Sequence, residues 1–190
     1  MATQFYTAST LNGFLATKED SLDWLFSLES GTPDDGGLAN TSYPEFIAQV
    51  GAIAMGSATY EWMLRNADAL VAETGSAWPY SQPTWVFTTR TLEVPAGADV
   101  RFAQGDVRDV HADMVDAAAG RNVWIVGGGD LAGQFLDAGL LDELIVQVAS
   151  VTLAEGKPLL PRDALSPMLK LQSASVVGKH MVELRYTINS

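Results

Sequence analysis

Three short stretches of this chain have the residue types that hold phosphate. They are Gly56-Ser57-Ala58-Thr59, Thr88-Thr89-Arg90 and Gly127-Gly128-Gly129-Asp130. Each follows an apolar run that has the character of a buried strand. A phosphate needs N–H donors at close range and some positive charge. Glycine lets a ligand approach the main chain where a Cβ would block it. A helix N-terminus offers unpaired N–H groups and roughly half a positive charge, and a guanidinium such as Arg90 matches phosphate geometry. Each piece also has a plainer reading: Ser57 and Asp130 are good helix caps, and Arg90 alone is an ordinary surface residue. The triple glycine is harder to explain as a turn.

Positioning those stretches requires strands that end together. Residues 3–9, 52–55, 84–89, 99–104, 122–126 and 143–151 are predicted strands. Residues 21–26, 43–50, 57–64, 107–119 and 131–139 are predicted helices, with Asp20 and Asp106 as candidate caps and Gly120 closing the fourth. The runs 169–177 and 180–188 read as antiparallel strands joined at Gly178-Lys179. Alternating strands and helices followed by a hairpin predict an α/β fold with a mostly parallel central sheet, helices on both faces and antiparallel C-terminal strands. Ligands bind beyond the carboxyl ends of such strands, so parallel strands would bring the three stretches to one edge. Gly127, Gly129 and Ala132 also satisfy G-x-G-x-x-A, but that motif normally follows a first strand; here it lies past residue 120, which argues for a different nucleotide-binding plan.

Composition narrows the chemistry. The 190 residues are 47% hydrophobic and 9% aromatic, which fits one globular domain over 1–190. There is no cysteine, so disulfides, thiolate metal sites and cysteine nucleophiles are excluded. The two histidines, His111 and His180, are far apart and lack neighbouring ligands, so no metal site is expected. The segment PDDGG at 33–37 lacks a calcium-loop ladder, and no G-x-S-x-G motif is present. A net charge of −12 disfavours nucleic acid and anionic membranes as partners, and favours solubility. No apolar run reaches the roughly 20 residues of a membrane span, and the start lacks a secretory pattern; the expected location is the cytoplasm.

The segments TLNGFLA (10–16), AIAMGSATYEWM (52–63), WVFTTR (85–90), VWIVGGGDLAGQFLDAGLLDELIVQV (123–148) and GKPLLP (156–161) resemble the dihydrofolate-reductase-like superfamily. The nearer branch is that of the reductase domain of bacterial riboflavin biosynthesis, and the resemblance covers nearly the whole chain in order. It implies a sheet of about eight strands and NADPH as hydride donor. It also implies that Ala8 faces the nicotinamide end, that Gly56, Ser57, Thr59, Gly127, Gly128, Gly129 and Leu131 hold phosphates, and that Thr89 and Arg90 lie near the adenosine 2′-phosphate. The acceptor, a small heterocycle or a sugar-like carbonyl or imine, would meet Asn12, Trp24, Tyr43 and Phe46, with Asp23, Tyr43 or a water delivering a proton. The WPYSQP segment (78–83) would close over the site or meet a second subunit of a homodimer.

Three departures from the family pattern matter. Ser57 stands where many members have arginine, leaving Arg90 to carry the NADP preference. Asn12 replaces an acidic residue. Glu45 is the sole carboxylate of NTSYPEF (40–46). They point away from folate reduction. They also leave open a nucleotide-binding protein of the same fold without turnover, or a flavin-linked reductase.

Overall fold

Strands whose neighbours cover both faces are apolar throughout, and those of this chain build the middle of one sheet. The computed structural model describes residues 1–28, 42–166 and 168–189. In chain order its elements are β1 (Thr3–Thr10), β2 (Phe14–Ala16), α1 (Asp23–Phe26), α2 (Tyr43–Ala48), β3 (Val50–Gly56), α3 (Ser57–Arg65), α4 (Ala67–Thr74), β4 (Thr84–Phe87), β5 (Val100–Ala103), α5 (Val107–Ala118), β6 (Asn122–Gly127), α6 (Gly129–Asp137), β7 (Glu143–Ala149), β8 (Lys157–Pro158), β9 (Leu169–Val177) and β10 (Met181–Ile188). The eight-stranded sheet has the order β5-β4-β3-β6-β1-β7-β10-β9. Its first six members are mutually parallel, and β10 runs antiparallel to both β7 and β9.

Successive residues on a strand face opposite ways, and the two faces bury different partners. Phe5, Ala52, Ala54, Val123, Ile125, Leu144 and Val146 pack with Met114 and Ala118 of α5 and with Leu131 and Phe135 of α6. Their neighbours Tyr6, Ile53, Met55, Trp124 and Ile145 pack with Phe46 of α2 and with Tyr60 and Met63 of α3. A third, smaller cluster joins Trp24 of α1 to Ala149 and Met181. Helices therefore lie on both faces.

The connections decide where a ligand can enter. The chain leaves β3 through α3 towards β4, and leaves the adjacent β6 through α6 towards β7, on the other face. Neighbouring strands whose connections diverge open a crevice beyond their carboxyl ends.

Several local expectations change. Asp20 does not cap α1: it has φ 63° and pairs with Lys157 at 3.5 Å, while Leu22 holds the cap position. Helix α2 ends at Ala48, because Val50 is already paired in the sheet. Helix α6 starts at Gly129, two residues before the predicted start at Leu131. The final hairpin has a three-residue loop, Gly178 to His180, because Val177 pairs with Met181. The α4 helix and the small β2–β8 pair were not anticipated. Asp106 does cap α5, accepting from the Arg108 N–H at 2.9 Å, and Ala119 takes the left-handed conformation one residue before Gly120. Of the loop expected over 31–42 from its composition, all but Ser42 lies outside the described residues.

Candidate functional site

The crevice is lined by the starts of α3 and α6, and neither helix has a side-chain cap. Gly56 and Gly128 occupy the two cap positions, and neither supplies a side-chain cap. Ser57 is the first residue of α3 rather than its cap. Asp130 lies in the first turn of α6, where it accepts from Gln134 at 2.9 Å and Arg162 at 3.1 Å; these bonds hold its carboxyl below the usual range. Two sets of N–H groups, at the ends of two adjacent strands, are thereby available as donors to an anion.

The three glycines do not share one cause. At Gly127 a Cβ would sit 2.6 Å from the Thr59 hydroxyl oxygen. At Gly129 a Cβ would sit 2.3 Å from the Pro158 carbonyl oxygen and 2.5 Å from that of Leu159. Both are demands of internal packing, as is the burial of the Leu131 side chain, which leaves only its main chain for a ligand. Gly128 has φ 92°, and a Cβ there would meet nothing closer than the Leu131 Cβ at 3.6 Å. Gly56 is similarly open, with the Gly127 carbonyl at 3.9 Å. A diphosphate is therefore not needed to explain the whole run; the open positions that suit one are Gly56 and Gly128.

Beyond β4, the Thr88 hydroxyl accepts from the Arg90 N–H at 3.1 Å, and Thr89 is exposed. Arg90 does not stand alone. Both arms of its guanidinium reach Glu61, each at 2.8 Å.

Towards the other side, Ala8 pairs with Gln147 of β7, which pairs with Glu183 of β10, so the three share one row and one face. Tyr43 opens α2 with its ring 6.3 Å from that of Tyr6 and 5.9 Å from that of Trp124; it is 37% exposed. Burial, and the Tyr6 phenol beside it, make the Tyr43 hydroxyl hold its proton more tightly than a free tyrosine. Phe46 is buried, stacked on Tyr6 at 4.3 Å. Trp24 is buried in the third cluster, where it donates to the Leu15 carbonyl at 3.2 Å and has Ala8 packed against it. Asn12 ties the loop after β1 to Leu153, donating to its carbonyl at 2.6 Å and accepting from its N–H at 3.2 Å. Asp23 is exposed at the start of α1. The structure thus brings Tyr43 and Phe46 together over Tyr6 and Trp124, and places Trp24, Asp23 and Asn12 in other surroundings. Tyr80, from the WPYSQP segment, packs edge-on against Trp124 at 5.6 Å and extends this aromatic layer.

Sequence reasoning missed the most polar part of this region. Glu183 is buried beside the aromatic layer, where it accepts from Arg185 at 2.7 Å, from Gln147 at 3.1 Å and from the Ser42 hydroxyl. Gln147 also donates to the Tyr6 hydroxyl at 2.7 Å, and Arg185 donates to the Ser42 hydroxyl at 3.1 Å. Burial pushes the Glu183 carboxyl up, but the bonds from Ser42, Gln147 and Arg185 outweigh it and hold the group below its usual range. The sequence gives little signal for it, because Glu183, Arg185 and Thr187 alternate with Val182, Leu184 and Tyr186 as on a strand face in water.

Other features lie away from this edge. His111 bonds Thr3 at 2.9 Å near the start of β1. A cavity of about 190 Å³ lined by Leu136, Asp142, Met168 and Ile188 opens at the opposite end of the sheet. Among the described residues no group of three or more His, Asp or Glu is placed to hold a metal ion, and no helix is long and apolar enough to cross a membrane.

An open, mostly parallel sheet with antiparallel last strands and a crevice between two diverging connections defines the dihydrofolate-reductase-like α/β class. Residues 3–182 match the family model of the RibD C-terminal domain, and the chain belongs to that family. Among curated proteins it is 29% identical over 184 residues to the uncharacterized protein YwjB of Bacillus subtilis, covering 97% of this chain and 96% of that one. A solved protein of Shewanella sp. PV-4, provisionally assigned to riboflavin biosynthesis, superposes with a TM-score of 0.78 at 26% identity over 100% of both chains. Dihydrofolate reductase of Enterococcus faecalis, solved in complex with NADP(H) and RAB-propyl, shares the fold with a TM-score of 0.62 at 16% identity, over 100% of this chain and 97% of that one.

Proposed function

We propose that this chain is an NADPH-dependent reductase, with residues 1–190 acting as one domain, that transfers a hydride to a small heterocyclic or sugar-like carbonyl or imine. The observation that carries the reading is the pair of uncapped helix starts at Gly56 and Gly128, side by side on β3 and β6. Helices α1, α2 and α4 also lack a side-chain cap; α3 and α6 differ in starting at the ends of adjacent parallel strands whose connections diverge, where a diphosphate can reach their first N–H groups. Membership of the RibD C-terminal family supports a reductase-like role.

The residues divide the task along the edge. Main-chain N–H groups of Gly56, Ser57, Gly128, Gly129 and Leu131 hold the diphosphate, with Thr59 fixing the two strand ends against each other. Thr89 and Arg90 receive the adenosine end. Ala8 presents its backbone to the nicotinamide end, in the same row as Gln147. The bound cofactor supplies the hydride. Tyr43, protonated at neutral pH and partly exposed, is the candidate proton donor to the acceptor, since Asp23 is exposed and apart from this layer. The expected assembly is a homodimer in the cytoplasm.

A titration of nicotinamide fluorescence tests the reading. Saturable binding of NADPH is expected, and no change at high micromolar cofactor would overturn it. Ser57→Asp provides a selective variant. An acidic residue in the first turn suits the helix dipole, so stability is kept, while its charge beside the diphosphate is expected to weaken binding by about tenfold or more. The second reading, a dinucleotide-binding protein without turnover, is favoured by the structural use of Asn12. NADPH oxidation with any member of a pterin and aminouracil panel would eliminate it.

A further inference from the structure

We propose that Glu61 is a specificity residue for the 2′ position of the dinucleotide, acting by occupying Arg90. This rests on the reductase reading above. Glu61 lies four residues after Ser57 on α3, so the two share the helix face that starts at the crevice. Arg90 lies three residues past the end of β4, and β4 flanks β3 on the side away from β6. The Glu61–Arg90 pair therefore bridges α3 to the strand end one position outward, about 4.8 Å along the sheet. A dinucleotide with its diphosphate at β3 and β6 and its nicotinamide end at β1 carries its adenosine ribose towards that pair.

The two groups have opposite preferences. A carboxylate accepts from the free 2′ and 3′ hydroxyls of an unphosphorylated ribose, whereas an arginine receives a 2′-phosphate. Here both are present and bound to each other by two parallel bonds of 2.8 Å. Arg90 has N–H donors beyond the two bound to Glu61, so a 2′-phosphate either bonds it while sitting close to the Glu61 carboxylate or draws it away from that carboxylate. A 2′-hydroxyl can bond Glu61 and leave the pair in place. The Arg90 side chain is 54% exposed and Glu61 27%, so ligand can reach both. Ser57 at the head of α3 and the net charge of −12 supply no compensating positive charge there. Glu61 therefore narrows the margin by which the chain selects NADPH over NADH.

The experiment is a pair of binding titrations, with NADPH and with NADH, on the wild type, Glu61→Gln and Arg90→Gln. Titrations with 2′,5′-ADP and with 5′-AMP isolate the adenosine end without any turnover. Glu61→Gln removes the charge but keeps the shape. It is expected to shift the ratio of dissociation constants towards NADPH by about threefold or more, and 2′,5′-ADP over 5′-AMP in the same direction. Arg90→Gln is expected to weaken NADPH and to spare NADH. A smaller shift in Glu61→Gln, or one towards NADH, with binding intact overturns this inference alone. Binding of neither dinucleotide to any of the three proteins overturns it together with the reductase reading.

Discussion

Glu183 is the side chain whose burial costs most and whose partners are most easily counted. Three donors from β7, β10 and the residue before α2 converge on its two oxygens. Removing one partner of such a buried group costs more than the set contributes in net terms. Glu183→Ala would remove the acceptor shared by Arg185, Gln147 and Ser42, and we expect a loss of about 2–3 kcal/mol in chemical denaturation. Its pH dependence has a definite sign. The folded carboxyl is held below its unfolded value. The stabilisation is thus present above the unfolded value and is lost as pH falls through the folded one. Denaturation midpoints measured between about pH 6 and pH 3 should fall in the wild type and be flatter in Glu183→Gln. Parallel profiles would show that this carboxylate does not govern acid stability. Its place was not legible in the sequence. In β10 the polar residues Glu183, Arg185 and Thr187 alternate with Val182, Leu184 and Tyr186, which is the pattern of a strand with one face in water. The entry to α2, some 140 residues away in the chain, covers that face at Ser42.

Among the elements, α6 illustrates how one stretch can meet a structural and a ligand demand at once. Its first residue, Gly129, lies against the backbone of Pro158 and Leu159, at and just after β8. Backbone cannot swing aside as a side chain can. Gly129→Ala should therefore push α6 off that segment and cost about 1–3 kcal/mol, read from thermal or chemical unfolding. An unchanged midpoint would mean that the contact is slack. The strand–helix alternation and the hairpin were legible, because hydrophobic period and turn residues are local properties. The β2–β8 pair was not, because three and two residues carry no periodicity of their own. Nor was the position of Asp20, whose left-handed backbone and pairing with Lys157 depend on that same small sheet.

At the scale of the whole molecule, β9 ends the sheet and leaves one long edge with no neighbouring strand among the described residues. Leu171 and Val176 on it are 53% and 81% exposed. Long edges with exposed apolar residues invite pairing. The proposed homodimer would use this strand, and light scattering at micromolar protein should give twice the mass of the chain. Substituting lysine for Val176 should shift it towards monomer. A wild-type monomer would refute the assembly.

The sequence alone determined the order and kind of the main elements, the mostly parallel sheet, and the three strand ends that gather at one edge. Strand burial, helix period and glycine punctuation are written in neighbouring residues, so they survive without knowledge of the rest. Only the tertiary structure decided which partner each polar side chain keeps. It gave two of the three adjacent glycines to packing and one to an open, left-handed turn. It joined Arg90 to Glu61 and sank Glu183 beneath α2. Each of those pairings is made across tens of residues by the way the sheet and helices stack, and no local pattern encodes a contact whose two halves are brought together only by the fold.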